Sequence, residues 1–92
     1  MSEFRNEDLR IEGDFFDGVT TEKKIGFIQY DSSTKTVKIW IEEILVIEKK
    51  VADLDISSRI GNIQRVILFS DGSNFVTSEN DLVDKLQKRV GA

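Results

Sequence analysis

Residues 69–87 of the chain read FSDGSNFVTSENDLVDKLQ, and a change of period inside this stretch decides the fold. Asp71-Gly72-Ser73 is a tight-turn signal, because glycine enters positive φ without steric cost while aspartate and serine bond their own backbone. Asn74–Ser78, with its aromatic and β-branched residues, predicts a strand. Beyond it the apolar residues move to helical spacing, and Leu82, Val83, Leu86 and Val90 form one stripe. Ser78 is placed as an N-cap, with Asp81 three residues on as a weaker relative of the capping box. Glu79 and Asp81 suit the positive end of the helix dipole, and Lys85, Lys88 and Arg89 its negative end. Gly91 is placed to stop the helix. A helix this short is not stable alone, so its stripe must close something.

Upstream of it lie short strands. Leu9–Phe16 ends at Asp17-Gly18, a second Asp-Gly turn, and Lys24–Tyr30 follows. Asp31–Lys35 is a polar loop. In Thr36–Glu42 the residues Val37, Ile39 and Ile41 alternate with Lys38, Trp40 and Glu42, a period of two with one buried face. Ile44–Lys49 and Val51–Ser57 read as the fourth and fifth strands, with a bend at Gly61-Asn62. Gln64–Ser70 is apolar on both faces, which predicts a central position. Residues 1–8 are charged and aperiodic, and are expected to form a flexible or short helical arm ahead of a single domain over 9–92.

Seven short strands with tight turns and one terminal helix predict a mainly β domain, a seven-stranded antiparallel, partly open barrel. An amphipathic helix suits an open barrel mouth, and that combination is the pleckstrin-homology-like architecture. The alternative is a single curled antiparallel sheet with the helix packed on it.

Composition excludes several chemistries. The chain has 92 residues, no cysteine and no histidine, so disulfides, thiolate nucleophiles and Cys/His zinc sites are ruled out, along with the commonest general base. A formal charge of −4 argues against a nucleic-acid partner, which calls for a basic face. The polar, acidic opening MSEFRNEDLRIEGDF is not a secretory signal, so the expected compartment is the cytoplasm. No catalytic residue, cofactor or metal is expected.

The short motifs give the same answer. Ser32–Lys35 has serine-x-x-lysine spacing, but in a hairpin loop and not at the helix start that acyl transfer needs. Asp53–Ser57 resembles the opening of a calcium loop but lacks the glycine and glutamate such a loop requires. Asp14 with Asp17, and Asp71, could offer oxygens to a hard cation, but carboxylates in Asp-Gly turns read as turn-formers. Glu42 and Glu43, as neighbours on a strand, would point to opposite faces. Two contact candidates remain. Trp40, outward between Lys38 and Glu42, is a potential partner anchor, and Phe15 is a second, since only one ring of Phe15-Phe16 need be core. The doublets Lys23-Lys24 and Lys49-Lys50 would hold an anionic headgroup or phosphate if they met at one mouth, and are otherwise solvated strand ends.

Three segments, FFDGVTT (15–21), LDISSRIGNIQRVILFSDGSNF (54–75) and TSENDLVDKL (77–86), resemble a small N-terminal domain of bacterial membrane-bound zinc metallopeptidases, the HtpX-like and prenyl-protease-like group. Phe16, Asp17, Gly18, Ile56, Ser57, Ile60, Gly61, Arg65, Leu68, Asp71, Gly72, Phe75, Asn80, Asp81 and Leu86 occupy the places of that pattern. The resemblance implies a pleckstrin-homology-like fold at the inner face of the bacterial membrane, ahead of a transmembrane helix and a peptidase. It implies a protein partner or the chain's own peptidase domain. The chain departs from the pattern at Ile44–Ala52, which is longer and more charged, and it carries no HExxH zinc motif. The matched positions are turn, cap and core residues. A non-catalytic interaction domain of open oligomeric state is therefore expected, with an anionic-lipid headgroup or phosphate binder as the alternative and a stand-alone small hydrolase as the remote one.

Overall fold

The computed structural model describes residues 9–91, and the side chains of 9–88. The expected arm lies outside the described residues. The elements are β1 (Leu9–Phe16), β2 (Lys24–Asp31), β3 (Thr36–Ile41), β4 (Ile44–Lys50), a one-turn 3-10 helix (Val51–Asp53), β5 (Asp55–Ile56), β6 (Arg65–Leu68), β7 (Asn74–Thr77) and α1 (Asn80–Gly91). All seven strands belong to one antiparallel sheet of order β4-β3-β2-β1-β7-β6-β5. It curls into a half-barrel, and α1 closes its inner face.

The curl turns on β1. It pairs with β2 from Leu9 to Phe15, and only its last three residues, Asp14, Phe15 and Phe16, pair with β7. Gly13 stands just before this junction, where an added Cβ would strike the Val76 carbonyl oxygen and the Phe75 ring. A bare backbone lets β7 cross here. Inside the curl, Ile11, Ile28, Val37, Ile39, Ile67 and Phe75 are fully buried together with Val83 and Leu86 of α1. Burying an aliphatic side chain of this size contributes about 1.5–3 kcal/mol. The stripe read from the sequence is therefore the seal of the core.

The structure corrects four expectations. Val51–Ser57 is not a strand throughout: Val51 is buried, its N–H donates to the Lys35 carbonyl, and a 3-10 turn precedes a two-residue β5. The strand β6 is not central but second from an edge, and its Leu68 is exposed. Glu42 does not extend β3; it and Glu43 form the two-residue turn into β4, both at positive φ (51° and 68°). Thr77, not Ser78, serves the helix start: its Oγ1 accepts from the Glu79 N–H at 3.0 Å and donates to the Glu12 carbonyl at 2.7 Å.

The most buried charge is Arg65, on the inward face of β6. Its Nε donates to the Ser57 carbonyl (2.9 Å), one terminal nitrogen to Asp84 (2.8 Å), and the other to Gln87 (2.6 Å). Asp84 and Gln87 lie three apart on α1 and so share a face. Arg59 also donates to Asp84, at 2.6 Å. Arg65, Asp84 and Ser57 thus tie the helix to the sheet with every arm of the guanidinium occupied, which a buried charge requires.

Candidate functional site

Two Asp-Gly turns meet at one end of the half-barrel. Asp17 accepts from the Val19 and Thr20 N–H groups, which fixes the start of the β1–β2 loop. Asp71 accepts from both the N–H and the hydroxyl of Ser73, which fixes the β6–β7 turn. The turns abut: a Cβ on Gly18, whose φ is 83°, would lie 2.6 Å from the Gly72 carbonyl oxygen. Only glycine fits there, on both conformational and steric grounds. The β3–β4 hairpin forms the third side.

Between these three connections lies a groove of 810 Å³. Its floor is apolar: Phe15, Ile41 and Ile47 are core residues, while Ile25 (77% exposed), Ile44 (63%) and Val46 (41%) are open to solvent. Val46 is there because of a β-bulge. Ile39 pairs with Ile47 and Trp40 with Leu45, so Val46 has no partner on β3. Bulges re-aim side chains in this way.

The rim is charged and mostly acidic. Asp17, Glu22, Glu42 and Asp71 face Lys23 and Lys24, four carboxylates against two ammonium groups. Backbone N–H bonds from Thr20 and Val19 hold the Asp17 carboxyl below its ordinary value. The Ser73 hydroxyl, then its N–H, does the same for Asp71. Both therefore stay ionised through the neutral range and keep the mouth negative.

The lysine doublets do not converge. Lys24 begins β2 at the mouth, whereas Lys50 pairs with Thr36, itself paired with Asp31 at the far end of β2, about 23 Å along the strand. Lys49 is half-buried on the inward side of β4, and its charge reaches Asp71. Phe15 is a core residue, 7% exposed, and not a surface anchor; it sits in register with Phe75 of β7 at the strand junction, and Phe16 takes the other face. Trp40 lies half-buried on the outer face, its Nε1 donating to Gln29 Oε1 at 3.0 Å. Its cross-strand neighbours are Phe27, over which Arg10 stacks at 3.8 Å, and Leu45. The groove itself was missed in the sequence. Its only signal was that Ile44-Leu45-Val46 breaks strict alternation.

Among the described residues no three carboxylates are grouped to hold a metal ion, and no helix is long and apolar enough to cross a membrane. Residues 10–90 match the family model DUF7092, a domain of unknown function. The chain belongs to this family. No curated protein is similar to it. Among solved structures, the pleckstrin-homology domain of human oxysterol-binding protein-related protein 11, determined in solution, is similar to it with a TM-score of 0.67 and 12% identity, over 98% of this chain and 85% of that one. The likeness establishes for this DUF7092 member a pleckstrin-homology-like fold, a half-barrel with a C-terminal helix. Gly18 and Gly72 in the abutting turns, and Ser57, Arg65 and Asn80 around the buried guanidinium, belong to its frame.

Proposed function

We propose that the domain is a non-catalytic interaction module that binds a polypeptide segment in the mouth groove. The observation that carries this is the groove's make-up: exposed Ile25, Ile44 and Val46 on the floor under a rim with twice as many carboxylates as lysines. An exposed apolar concavity marks an interaction site. Its acidic balance repels an anionic headgroup: Lys23 and Lys24 stand among four carboxylates, the charge of Lys49 faces Asp71, and Lys50 lies at the far end of the sheet. Placing a photo-crosslinking residue at Ile44 in the full-length protein in cells tests this. Protein adducts are expected at position 44 and none at Ser33. Lipid adducts at 44, or salt-sensitive sedimentation of the domain with phosphatidylglycerol vesicles, would overturn the reading.

The wider context belongs to the same proposal: a domain at the cytoplasmic face, ahead of a membrane-bound zinc metallopeptidase, with the peptidase or its partner supplying the segment. The ordered match of Phe16-Asp17-Gly18, Ile56-Ser57, Arg65, Asp71-Gly72 and Asn80-Asp81 to that group supports it. The reading frame beyond Ala92 decides it. An apolar span of about 20 residues followed by HExxH is expected, and an immediate stop codon would refute it.

A further inference from the structure

The geometry points to the occupant of the groove: we infer that it is an extended apolar segment flanked by lysine or arginine, added as an eighth strand along the free edge of β4. This rests on the groove reading above and specifies the partner's conformation and charge.

Among the described residues, the strand β4 ends the sheet order and has β3 on one side only. A strand with an unpaired side presents its N–H and C=O groups to any extended chain, and proteins defend such edges with charge or cover. Here charge defends only the second half of the strand, at Glu48, Lys49 and Lys50, and the first half carries the single bulge at Val46. The first half exposes Ile44 (63%), Leu45 (41%) and Val46 (41%). The bulge turns Val46 toward the groove that Ile44 also lines. A strand laid along this half would continue the sheet across the mouth. Every second side chain of that strand would fall on the apolar floor, as the period of two dictates.

Charge selects the flanks. The hairpin tip preceding Ile44 is Glu42-Glu43, and Glu22, Asp17 and Asp71 stand across the groove. An acidic segment would meet these five carboxylates against only Lys23 and Lys24, whereas a basic one finds carboxylates in excess at the mouth end of β4. Such complementarity governs partner choice and association rate.

The test titrates the isotope-labelled chain with three synthetic peptides and follows backbone amide shifts. The first alternates valine and threonine between terminal lysines. The second carries glutamate in place of both lysines. The third keeps the lysines but has proline at its centre, which removes a ladder donor. The lysine peptide is expected to shift the amides of Ile44–Ile47 and to bind at least about tenfold more tightly than either of the others. The paired substitution Glu42→Gln and Glu43→Gln is expected to shrink the lysine-over-glutamate preference while the thermal midpoint holds. Equal binding of the glutamate peptide would overturn the charge assignment, and equal binding of the proline peptide would overturn strand addition. Either result, with shifts still at Ile44–Ile47, leaves the groove reading standing. Absence of shifts there with every peptide removes both.

Discussion

At the β3–β4 turn, Glu42 and Glu43 hold φ values of 51° and 68°. A two-residue hairpin loop with both central residues in the left-handed region normally takes Asn-Gly, since a residue with a Cβ loses about 1–2 kcal/mol there. The double substitution Glu42→Asn and Glu43→Gly should therefore raise stability by about 1–2 kcal/mol, read as a higher urea midpoint at unchanged slope. Gly18 presents the opposite case. Its φ is 83°, and a Cβ there would stand 2.6 Å from the Gly72 carbonyl oxygen, which leaves no room for a side chain. Gly18→Ala should cost about 2–3 kcal/mol, whereas Gly61→Ala, with open space where its Cβ would stand, should cost less in the same denaturant series. The Asp-Gly pairs were legible in the sequence because they act within their own turn. The Glu-Glu turn was not, because nothing in its composition favours positive φ; the strands on either side impose it.

Among the elements, α1 depends on one buried guanidinium. Arg65→Ala would leave the Ser57 carbonyl, Asp84 and Gln87 without their donor and open a cavity beneath the helix, at a cost of about 3 kcal/mol. Arg59 is exposed and its ion pairs to Asp81 and Asp84 are surface ones, so Arg59→Ala should cost far less than Arg65→Ala. Thermal unfolding of the two variants side by side checks the contrast. Hydrogen bonds from Arg65, then Arg59, hold the Asp84 carboxyl below its ordinary value of 3.8. A carboxylate whose folded value is depressed stabilises above the unfolded value, and that contribution fades as pH falls through the folded one. The melting temperature should therefore drop as pH falls below about 4, and Asp84→Asn should flatten that drop. It flattens it only in part, since Asp17, Asp31 and Asp71 are shifted in the same direction. Strands β1 to β4 and α1 were readable from period and turn signals. The 3-10 turn was not, because Leu54 and Ile56 alternate as a strand does, and the single three-residue step from Val51 to Leu54 is too short a signal to set against them. Arg65 was hidden too: on the Arg65, Ile67, Phe69 face it looks like a strand end until Asp84 and Gln87 are brought beneath it.

For the whole molecule, the half-barrel and its helix form one cooperative object. Val83 and Leu86 are fully buried against the sheet, so a chain ending at Ser78 should bind a hydrophobic dye such as ANS and lose its sharp thermal transition. The general architecture was accessible from strand count and the terminal helix. The mouth groove was not, because it is assembled from Asp17, Ile25, Glu42, Ile44 and Asp71, residues of three connections that meet only when the sheet curls.

Strands β4 and β5 follow one another in the chain, yet they are the two outer strands of the sheet, and Val51–Asp53 carries the chain between them. The four-strand meander before that turn and the three strands and helix after it are joined by the three-residue ladder of Asp14, Phe15 and Phe16 with Asn74, Phe75 and Val76, by the Thr77 hydroxyl on the Glu12 carbonyl and the abutting Asp-Gly turns beside it, and by the apolar contact of α1. The domain is thus two halves sewn along one short seam. A protease nick in Val51–Asp53 should leave two fragments that stay together at high concentration and part on dilution, a built-in split protein whose rejoining would report whatever occupies the mouth.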